Sequence, residues 1–450
     1  MTRELFGTDG IRGVPGCFPL DDATVYAVGL ALGELVGRRG DGAEPRVLIG
    51  RDTRESGPHL ALRLAAGLRA AGVVPVSAGV LPTPGVAALV RAKGFAAGAV
   101  ISASHNPFTD NGIKVFSERG TKFPDETEER LEAEIARHRR APATGAAALD
   151  TDPALAAEYL DLLRARAGAK LDGLSVVLDC ANGAASGLAP ELFVSLGARV
   201  TAINAAPDGR NINAGCGSLH PQGMSRAVVG CGAAFGAAFD GDADRAIFAA
   251  ASGKLVDGDG VLYMAARALR ASGKLAGNLV VGTTMTNLGL ERALAGEGIG
   301  LVRVPVGDRY VLEELVRRGG NLGGEPSGHV IFLDDSPAGD GLATALKVAE
   351  WVARQGPLEN LVAGLACYPQ KIVNVRVRSK PPLDSLPAVA HAAREARSAL
   401  GDRGRIVLRY SGTESLARVM VEAEREEDVE RWSGTIARAI EETLGRQSGH

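Results

Sequence analysis

The chain has 450 residues, a length that predicts two to four domains at about 100–200 residues each. Its net charge of −3 gives no broad basic field, which argues against binding to nucleic acid or to a membrane surface. Aromatic residues make up only 4%, too few for a platform on which single-stranded bases stack.

The cysteines and the N-terminus indicate a reducing compartment. The chain has five cysteines, an odd number, and no pair has C-x-x-C spacing. A zinc site or a disulfide framework is therefore not expected. The first residues do not resemble a signal peptide, and no apolar run reaches the ~18 residues of a membrane span. We expect a cytoplasmic protein that acts on small molecules.

A strand–helix–strand pattern occurs three times along the chain. The copies begin with the apolar stretches Arg46–Asp52, Ser175–Asp179 and Leu279–Thr283. Leucines follow each stretch at a spacing of four, which places them on one face of a helix. These leucines are Leu60, Leu64 and Leu68, then Leu188, Leu192 and Leu196, then Leu290 and Leu294. Such units predict parallel sheets with ligands at the carboxyl ends of the strands.

The last segment has a different pattern and predicts a smaller α+β domain. Its predicted elements are a strand near Lys371–Val377, a helix near Ser385–Leu400, strands near Arg405–Leu408 and Ala417–Glu422, and a helix near Glu427–Leu444. The expected fold is α/β, with three similar mixed α/β domains and this smaller C-terminal domain around one central cleft.

Breaks in the pattern give the predicted domain boundaries. They are the small-residue stretch Arg139–Ala146, the turn Ala251–Gly253, and the region from Gln355–Pro357 to Lys380–Pro382. The predicted domains are residues 1–150, 151–252, 253–368 and 369–450.

The strongest sign of a metal site is Asp240, Asp242 and Asp244, which directly follow the predicted strand Ala233–Phe239. Alternate residues of an extended chain point the same way, so the three carboxylates are expected to face one point. Oxygen ligands suit Mg²⁺, Ca²⁺ or Mn²⁺. An EF-hand is excluded because its glycine at loop position six and glutamate at position twelve are missing. A solvated acidic turn is the alternative, but unpaired carboxylates repel each other.

A second loop, Ile101–Pro107, reads I-S-A-S-H-N-P and follows the apolar run Ala96–Ile101. Ser104 is expected to be exposed at the end of this strand. A serine is a weak nucleophile unless it is activated or already phosphorylated. No G-x-S-x-G elbow surrounds it, so a hydrolase triad is not indicated. Taken alone, the loop is more often a plain turn.

Three further loops carry polar groups. Arg409–Ser415, with Arg418 beyond it, offers hydroxyls, backbone N–H groups and arginines to an anion, although it is not a Walker loop. Gly323–His329 offers a carboxylate, a hydroxyl and an imidazole that could grip sugar hydroxyls, but its histidine could equally be structural. Phe6–Gly13 contains an arginine that could face a phosphate.

Together, in this order and over almost the whole chain, these motifs resemble the α-D-phosphohexomutase superfamily. The resemblance implies three similar α/β domains and a smaller fourth. It implies that Ser104 is a phosphoserine, and that Asp240, Asp242 and Asp244 hold one Mg²⁺ per active site, with a phosphate oxygen on Ser104 as a further ligand.

The resemblance also implies roles for other residues. Arg12, His105 and Lys114 match active-site positions around the serine, and Lys114 is a candidate acid or base. The substrate-binding positions that it implies are Arg245, Asp308, Arg309, Glu325, Ser327, His329, Arg409, Ser411, Gly412, Thr413 and Arg418.

Four stretches resemble the bacterial branch that acts on glucosamine phosphate: Phe6–Gly13, Ser102–Ser104, Asn211–Pro221 and Gly307–Val311. They imply interconversion of glucosamine 6-phosphate and glucosamine 1-phosphate, through glucosamine 1,6-bisphosphate as intermediate and activator, on the route to UDP-N-acetylglucosamine and cell-wall precursors. A mutase for mannose or glucose phosphate, or a non-catalytic sugar-phosphate sensor, stays open. A homodimer is a family expectation.

Two departures from the family pattern concern its phosphate loop, which usually reads R-P-S-G-T-E-P. Tyr410 and Ser415 replace the two prolines. The anion-binding groups are retained, but the loop is expected to be less rigid because a proline fixes its own φ angle. Thr286 stands where the family usually has serine, which is a mild change.

Overall fold

The computed structural model describes residues 5–7, 9–37, 44–140, 149–411 and 415–445. The chain divides into two units. The first comprises Met1–Thr283 and Val304–Ala363, and the second comprises Thr284–Arg303 and Gly364–His450. Most of the predicted linker, residues 141–146, lies outside the described residues.

The first sheet of the larger unit is mixed. In chain order its elements are β1 (Ile11–Gly13), α1 (Asp22–Gly37), β2 (Arg46–Arg51), α2 (Gly57–Ala70), β3 (Val74–Val80), α3 (Thr83–Lys93), β4 (Ala97–Ile101), β5 (Asn111–Ser117) and α4 (Asp125–His138). The strand order is β1-β5-β4-β2-β3. Strand β2 is parallel to β3 and β4, whereas β5 is antiparallel to β4 and β1.

Helices α1 and α2 pack so closely that their backbones touch. A Cβ atom at Gly67 would lie 2.1 Å from Tyr26 O, and one at Gly29 would lie 2.1 Å from Leu64 O. Only glycine permits this approach, since any side chain would collide with a carbonyl group. The predicted leucine face of α2 is fully buried and confirmed.

The second sheet repeats the arrangement of the first. Its elements are α5 (Ala154–Arg166), β6 (Ser175–Asp179), α6 (Ala185–Ser195), β7 (Arg199–Ile203), α7 (Gln222–Cys231), β8 (Phe235–Phe239), β9 (Ala246–Ala250) and β10 (Leu255–Val256). The strand order is β10-β9-β8-β6-β7. Strand β6 is parallel to β7 and β8, and β9 is antiparallel to β8.

The predicted leucine stripe on α6 is only partly correct. Leu192 is fully buried, but Leu188 is half-buried, and Leu196 lies just beyond the end of the helix. The buried face is completed by Ala189 and Phe193 instead. These residues lie three and one positions from Leu192, so the face follows the helical period of 3.6 rather than a strict spacing of four.

The third region continues the pattern. Its elements are α8 (Gly258–Ala271), β11 (Leu279–Thr283), α9 (Leu288–Gly296), β12 (Gly300–Val304), α10 (Asp308–Arg318), β13 (Leu322–Gly324), β14 (Val330–Phe332), α11 (Gly341–Gln355) and α12 (Leu358–Leu361). Strand β13 is parallel to β11 and antiparallel to β14. Helix α9 and most of β12 belong to the second unit, and Leu290 and Leu294 are buried there as predicted.

The C-terminal part of the second unit is the predicted α+β domain. Its elements are β15 (Gln370–Arg376), α13 (Pro387–Leu400), β16 (Gly404–Tyr410), β17 (Leu416–Ala423) and α14 (Glu426–Leu444). The three strands form an antiparallel sheet in the order β15-β17-β16. Its core includes Val419, Val421, Trp432 and Ile436. The predicted elements are confirmed to within a few residues.

The prediction of parallel sheets is only half correct, because an antiparallel strand closes each repeat. Strands β4 and β5, β8 and β9, and β13 and β14 form hairpins. The connections between them are too short for a parallel crossover, which needs a dozen or more residues. The predicted serine, metal and sugar loops therefore connect the strands of hairpins, and β16 and β17, which flank the predicted phosphate loop, are also antiparallel neighbours.

None of the helices in the described part of the chain combines the length and apolar character needed to cross a bilayer.

Candidate active site

Three hairpin loops of the first unit meet at one place. They follow β4, β8 and β13, and they carry Ser104, the three aspartates and His329. The Oγ atom of Ser104 donates a hydrogen bond of 2.6 Å to Asp240 Oδ2. His329 Nδ1 lies 3.7 Å from Asp244 Oδ2. The first unit thus brings the predicted serine, metal and sugar loops together.

Ser104 is fully buried, so its expected exposure was wrong. The loop after β8 covers it: a Cβ atom at Gly241 would lie only 2.5 Å from Ser104 O. The glycine of the D-G-D sequence therefore lets two loops from different sheets touch. Ser104 itself has a φ of 52°, in the left-handed region that residues with side chains rarely adopt.

Asp240, Asp242 and Asp244 each place one carboxylate oxygen within 4.8 Å of those of the other two, and all three are buried. The predicted convergence is confirmed, but its predicted cause is wrong. The residues form a turn rather than an extended strand, and Ala243 has a φ of 56°. The turn, and not strand alternation, brings the three carboxylates to one point.

The electrostatics of the triad favour a bound cation. Burial, with the Asp244 and Asp242 carboxylates, raises the pKa of Asp240 well above its ordinary value. Burial by itself also raises the pKa of Asp244, but nearby Lys114 and His329 bring it well below its ordinary value. Asp242 Oδ1 is buried, and no hydrogen-bond donor of the described residues reaches it. An oxygen atom of this kind is a fitting ligand for a hard divalent ion.

Thr83, the first residue of α3, holds Asp242 in place, and the sequence analysis missed it. Its hydroxyl donates a 2.5 Å hydrogen bond to Asp242 Oδ2, and its backbone N–H donates to Asp242 O at 3.0 Å. Both side chains are buried. The sequence around Thr83 gave no sign of this contact with the second sheet.

Lys114 lies between the triad and Asp9. Its Nζ is 2.8 Å from Asp242 Oδ2 and 3.1 Å from Asp9 Oδ2. Burial by itself lowers the pKa of Lys114, but the carboxylates of Asp242, Asp9 and Asp244 raise it well above its ordinary value. The ammonium group is therefore protonated in this arrangement and supplies positive charge and hydrogen-bond donors.

Asp9 is a second residue that the sequence analysis missed. It receives a 2.5 Å hydrogen bond from Arg12 Nη2 and a 2.8 Å one from Lys122 Nζ. Lys122 also donates to Asp308 Oδ1 at 2.8 Å. The carboxylate of Asp9 thus joins Arg12, Lys114 and Lys122, and its place inside the F-G-T-D-G motif was the only signal in the sequence.

His105 and Arg245 lie beside the serine. His105 Nδ1 is 3.2 Å from Ser104 Oγ and 3.4 Å from Arg245 Nη1. Burial, with the charges of Arg245 and Arg12, lowers the pKa of His105 to about 4. The imidazole is therefore neutral at physiological pH, and one ring nitrogen can accept a hydrogen bond.

The predicted sugar loop contributes Glu325, Ser327 and His329. Glu325 Oε1 accepts a hydrogen bond of 3.0 Å from Gly307 N. Ser327 Oγ and His329 Nε2 are buried, and neither meets a hydrogen-bond partner within the described ranges. Burial by itself lowers the pKa of His329, but the Asp244 carboxylate raises it to about 8. The interaction with Asp244 therefore also gives His329 a structural role, which the sequence analysis left open.

Asp308 and Arg309, at the start of α10, form ion pairs. Asp308 bonds to Lys122, as described above. Arg309 forms ion pairs with two residues of α4. One is Asp125, and the other is Glu128, whose Oε2 lies 3.3 Å from Arg309 Nη1. The structure thus places the Arg309 guanidinium against α4 rather than beside Ser104.

The predicted phosphate loop lies in the second unit. Arg409 and Arg418 face each other across β16 and β17, and burial together with Arg418 lowers the pKa of Arg409. Ser411 N donates to Leu416 O at 2.8 Å. Gly412 and Thr413 lie outside the described residues. The paired arginines concentrate positive charge at this end of the hairpin.

Tyr410, which stands in place of a family proline, is anchored. Its hydroxyl donates a 2.6 Å hydrogen bond to Pro381 O. Lys380 Nζ donates to Ser411 O at 2.7 Å. These contacts restrain the start of a loop that was expected to be less rigid.

Comparison with known protein families covers nearly the whole chain. Residues 3–141, 157–253 and 257–368 match phosphoglucomutase/phosphomannomutase alpha/beta/alpha domains I, II and III, and residues 372–439 match the C-terminal domain. The chain belongs to the phosphoglucomutase/phosphomannomutase family. The resemblance to the phosphohexomutases is thereby confirmed, and with it the assignment as an enzyme of the mutase class.

Individual relatives point to one branch within this family. The chain is 53% identical to the phosphoglucosamine mutase of Solibacter usitatus, over 99% of this chain and 100% of that protein. It is 49% identical to that of Koribacter versatilis, over 98% of each chain. Among solved structures, a phosphoglucomutase/phosphomannomutase family protein from Burkholderia thailandensis has a TM-score of 0.79 at 26% identity and covers 97% of both chains.

Proposed function

We propose that the protein interconverts glucosamine 6-phosphate and glucosamine 1-phosphate. The observation that carries the proposal is the buried hydroxyl of Ser104, 2.6 Å from one member of a buried aspartate triad. The relatives with about half of their residues identical over the full length are named phosphoglucosamine mutases, which supports the choice of sugar.

Phosphorylated Ser104 is the proposed donor. The bond between phosphorus and Ser104 Oγ breaks, and a new bond forms from phosphorus to the free hydroxyl oxygen of the sugar phosphate. In the net step, the proton of that hydroxyl is transferred to Ser104 Oγ, which becomes a hydroxyl again. Glucosamine 1,6-bisphosphate results and reorients. The other phosphoryl group then returns to Ser104, and the isomeric monophosphate leaves. The same bisphosphate serves as activator because it can phosphorylate a free Ser104.

Asp240, Asp242 and Asp244 would hold one Mg²⁺, with the phosphate on Ser104 as a further ligand. Such an ion neutralises charge that develops on the transferred phosphoryl group. The residues fit it, because three oxygen ligands converge in a buried place and Asp242 Oδ1 has no other partner among the described side chains. Lys114 adds positive charge to the same region.

The remaining predicted residues would bind the sugar phosphate. Glu325, Ser327 and His329 would take sugar hydroxyls, and Arg12 and Arg245 would face the reacting phosphate. Arg409, Ser411, Gly412, Thr413 and Arg418 would hold the phosphate that is not reacting. The domain boundaries, a cytoplasmic location and a homodimer are parts of the proposal that rest on the sequence.

The test is kcat/KM with Mg²⁺ and traces of the matching 1,6-bisphosphate, for glucosamine 6-phosphate against glucose and mannose 6-phosphates. We expect a preference of about tenfold or more for the amino sugar, which is about 1.4 kcal/mol in transition-state binding. A preference for glucose or mannose would contradict the substrate. Absence of turnover with Ser104 verified as phosphorylated would instead favour a sensor, and full turnover by Ser104→Ala would refute the phosphoserine.

A further inference from the structure

Arg54 is a fully buried arginine in the turn after β2, and it faces the serine loop. Its Nη2 donates hydrogen bonds to Ser104 O at 3.0 Å and to Asn106 O at 2.8 Å. Its Nε donates to Asp52 Oδ2 at 2.8 Å. A buried guanidinium with a carboxylate partner is thus directed at the backbone of the loop.

The other guanidinium nitrogen of Arg54 binds the far side of the same loop. Nη1 donates to Asp110 O at 3.0 Å and to Pro107 O. All of the guanidinium N–H donors are therefore engaged, four of them by carbonyl groups between Ser104 and Asp110. No lysine could reproduce this planar set of contacts.

Ser102 links the same network to the backbone of Ser104. Its hydroxyl donates to Asp52 Oδ2 at 2.6 Å and accepts a hydrogen bond of 2.9 Å from Ser104 N. The amide and the carbonyl of Ser104 are thus both held through the Asp52–Arg54 pair.

Asn213 reaches the loop from the second sheet. Its Nδ2 donates to Ser104 O at 2.9 Å and to Asn106 O at 3.0 Å. These are the two carbonyl groups that Arg54 Nη2 also contacts. Asn213 belongs to the stretch Asn211–Pro221, which the sequence analysis singled out without finding a role for it.

We propose that Arg54 and Asn213 are positioning residues that clamp the Ser104 and Asn106 carbonyls and so keep the Ser104 side chain directed at Asp240. The proposal rests on the proposed function, in which Ser104 Oγ exchanges a phosphoryl group. A left-handed serine costs conformational free energy, and surrounding contacts must hold it. Neither residue is proposed to touch the sugar, so phosphoryl transfer should suffer while substrate binding does not.

The first experiment uses Asn213→Ala, because Asn213 is only half-buried. The fold of the variant is checked by circular dichroism, since residue 213 has a φ of 59°, which alanine adopts less readily than asparagine. The matched control is Asn211→Ala, which removes hydrogen bonds to Ala206 and Asp208 within the same loop but no contact with the serine loop. Two kinds of measurement are made. The first gives steady-state kcat and KM, and the second gives the rate at which glucosamine 1,6-bisphosphate phosphorylates the dephosphorylated protein at Ser104, followed by mass spectrometry.

We expect Asn213→Ala to lower kcat and the phosphorylation rate about 10–100-fold, the size of loss that a small misplacement of a reacting group produces. KM should stay within about twofold, and Asn211→Ala should behave like the wild type. An unchanged kcat, a rise in KM alone, or an equal loss in the control would overturn the clamp.

Arg54→Lys tests the other side of the clamp, with Arg51→Lys, at the end of β2, as its control. Arg54→Lys should lower the phosphorylation rate at least as much as Asn213→Ala. If Arg54→Lys fails to fold, as measured by circular dichroism, the comparison of Asn213→Ala with Asn211→Ala tests the clamp by itself. Wild-type protein that turns over without phosphate on Ser104 would refute the proposed function itself, a result distinct from failure of the clamp.

Discussion

Thr83 allows a direct test of the metal site by a substitution outside the triad. Thr83→Val keeps the shape of the side chain but removes the hydroxyl that donates to Asp242 Oδ2 at 2.5 Å. Because both residues are buried, water cannot replace the lost donor. A hydrogen bond to a charged group contributes about 1.5–3 kcal/mol, and loss of a residue that orients a metal ligand typically lowers metal affinity about 10–100-fold.

We therefore expect the Mg²⁺ concentration for half-maximal activity to rise about 10–100-fold in Thr83→Val, which corresponds to about 1.4–2.7 kcal/mol. The assay is a magnesium titration of the mutase rate, checked by calorimetric titration of Mg²⁺ into the phosphorylated protein. Thr83→Ser retains the hydroxyl and should stay near the wild type. Equal magnesium dependence in the valine, serine and wild-type proteins would refute the orienting role.

Two other predictions follow from single contacts, and a third concerns the metal. Gly241→Ala should destabilise the fold by about 1–3 kcal/mol in urea unfolding and lower activity, because its Cβ would lie 2.5 Å from Ser104 O; unchanged values for both would contradict the close approach. Tyr159→Phe should cost about 1–3 kcal/mol of stability, because it removes the buried hydroxyl that donates to Asp340; undiminished stability would refute this. Chelation should abolish turnover and added Mg²⁺ should restore it, whereas full activity in chelator would argue against the metal.

Local patterns in the sequence were enough to predict the helices and strands whose apolar residues are regularly spaced. The leucine face of α2 and the whole order of elements from β15 to α14 were predicted in this way. The antiparallel strands β5, β9 and β14 were missed, because a short hairpin and a loop before a helix look alike until the register of the strands is known.

The parts of the site that lie close together in sequence were predicted, and the parts that depend on tertiary contacts were not. Asp240, Asp242 and Asp244 lie close together in sequence, so their convergence was visible. The burial of Ser104 depends on Gly241 from another sheet, and no local pattern reports it. Thr83 likewise acts through a tertiary contact, and the side chain alone gave no signal of it.

The most direct test of the account is to follow phosphate onto Ser104. Dephosphorylated protein is incubated with Mg²⁺ and glucosamine 1,6-bisphosphate, and the modified residue is identified by peptide mass spectrometry. The account predicts one phosphoryl group, located on Ser104, which glucosamine 6-phosphate then removes. Mutase turnover with Ser104 unmodified, or with the phosphoryl group on another residue, would contradict it.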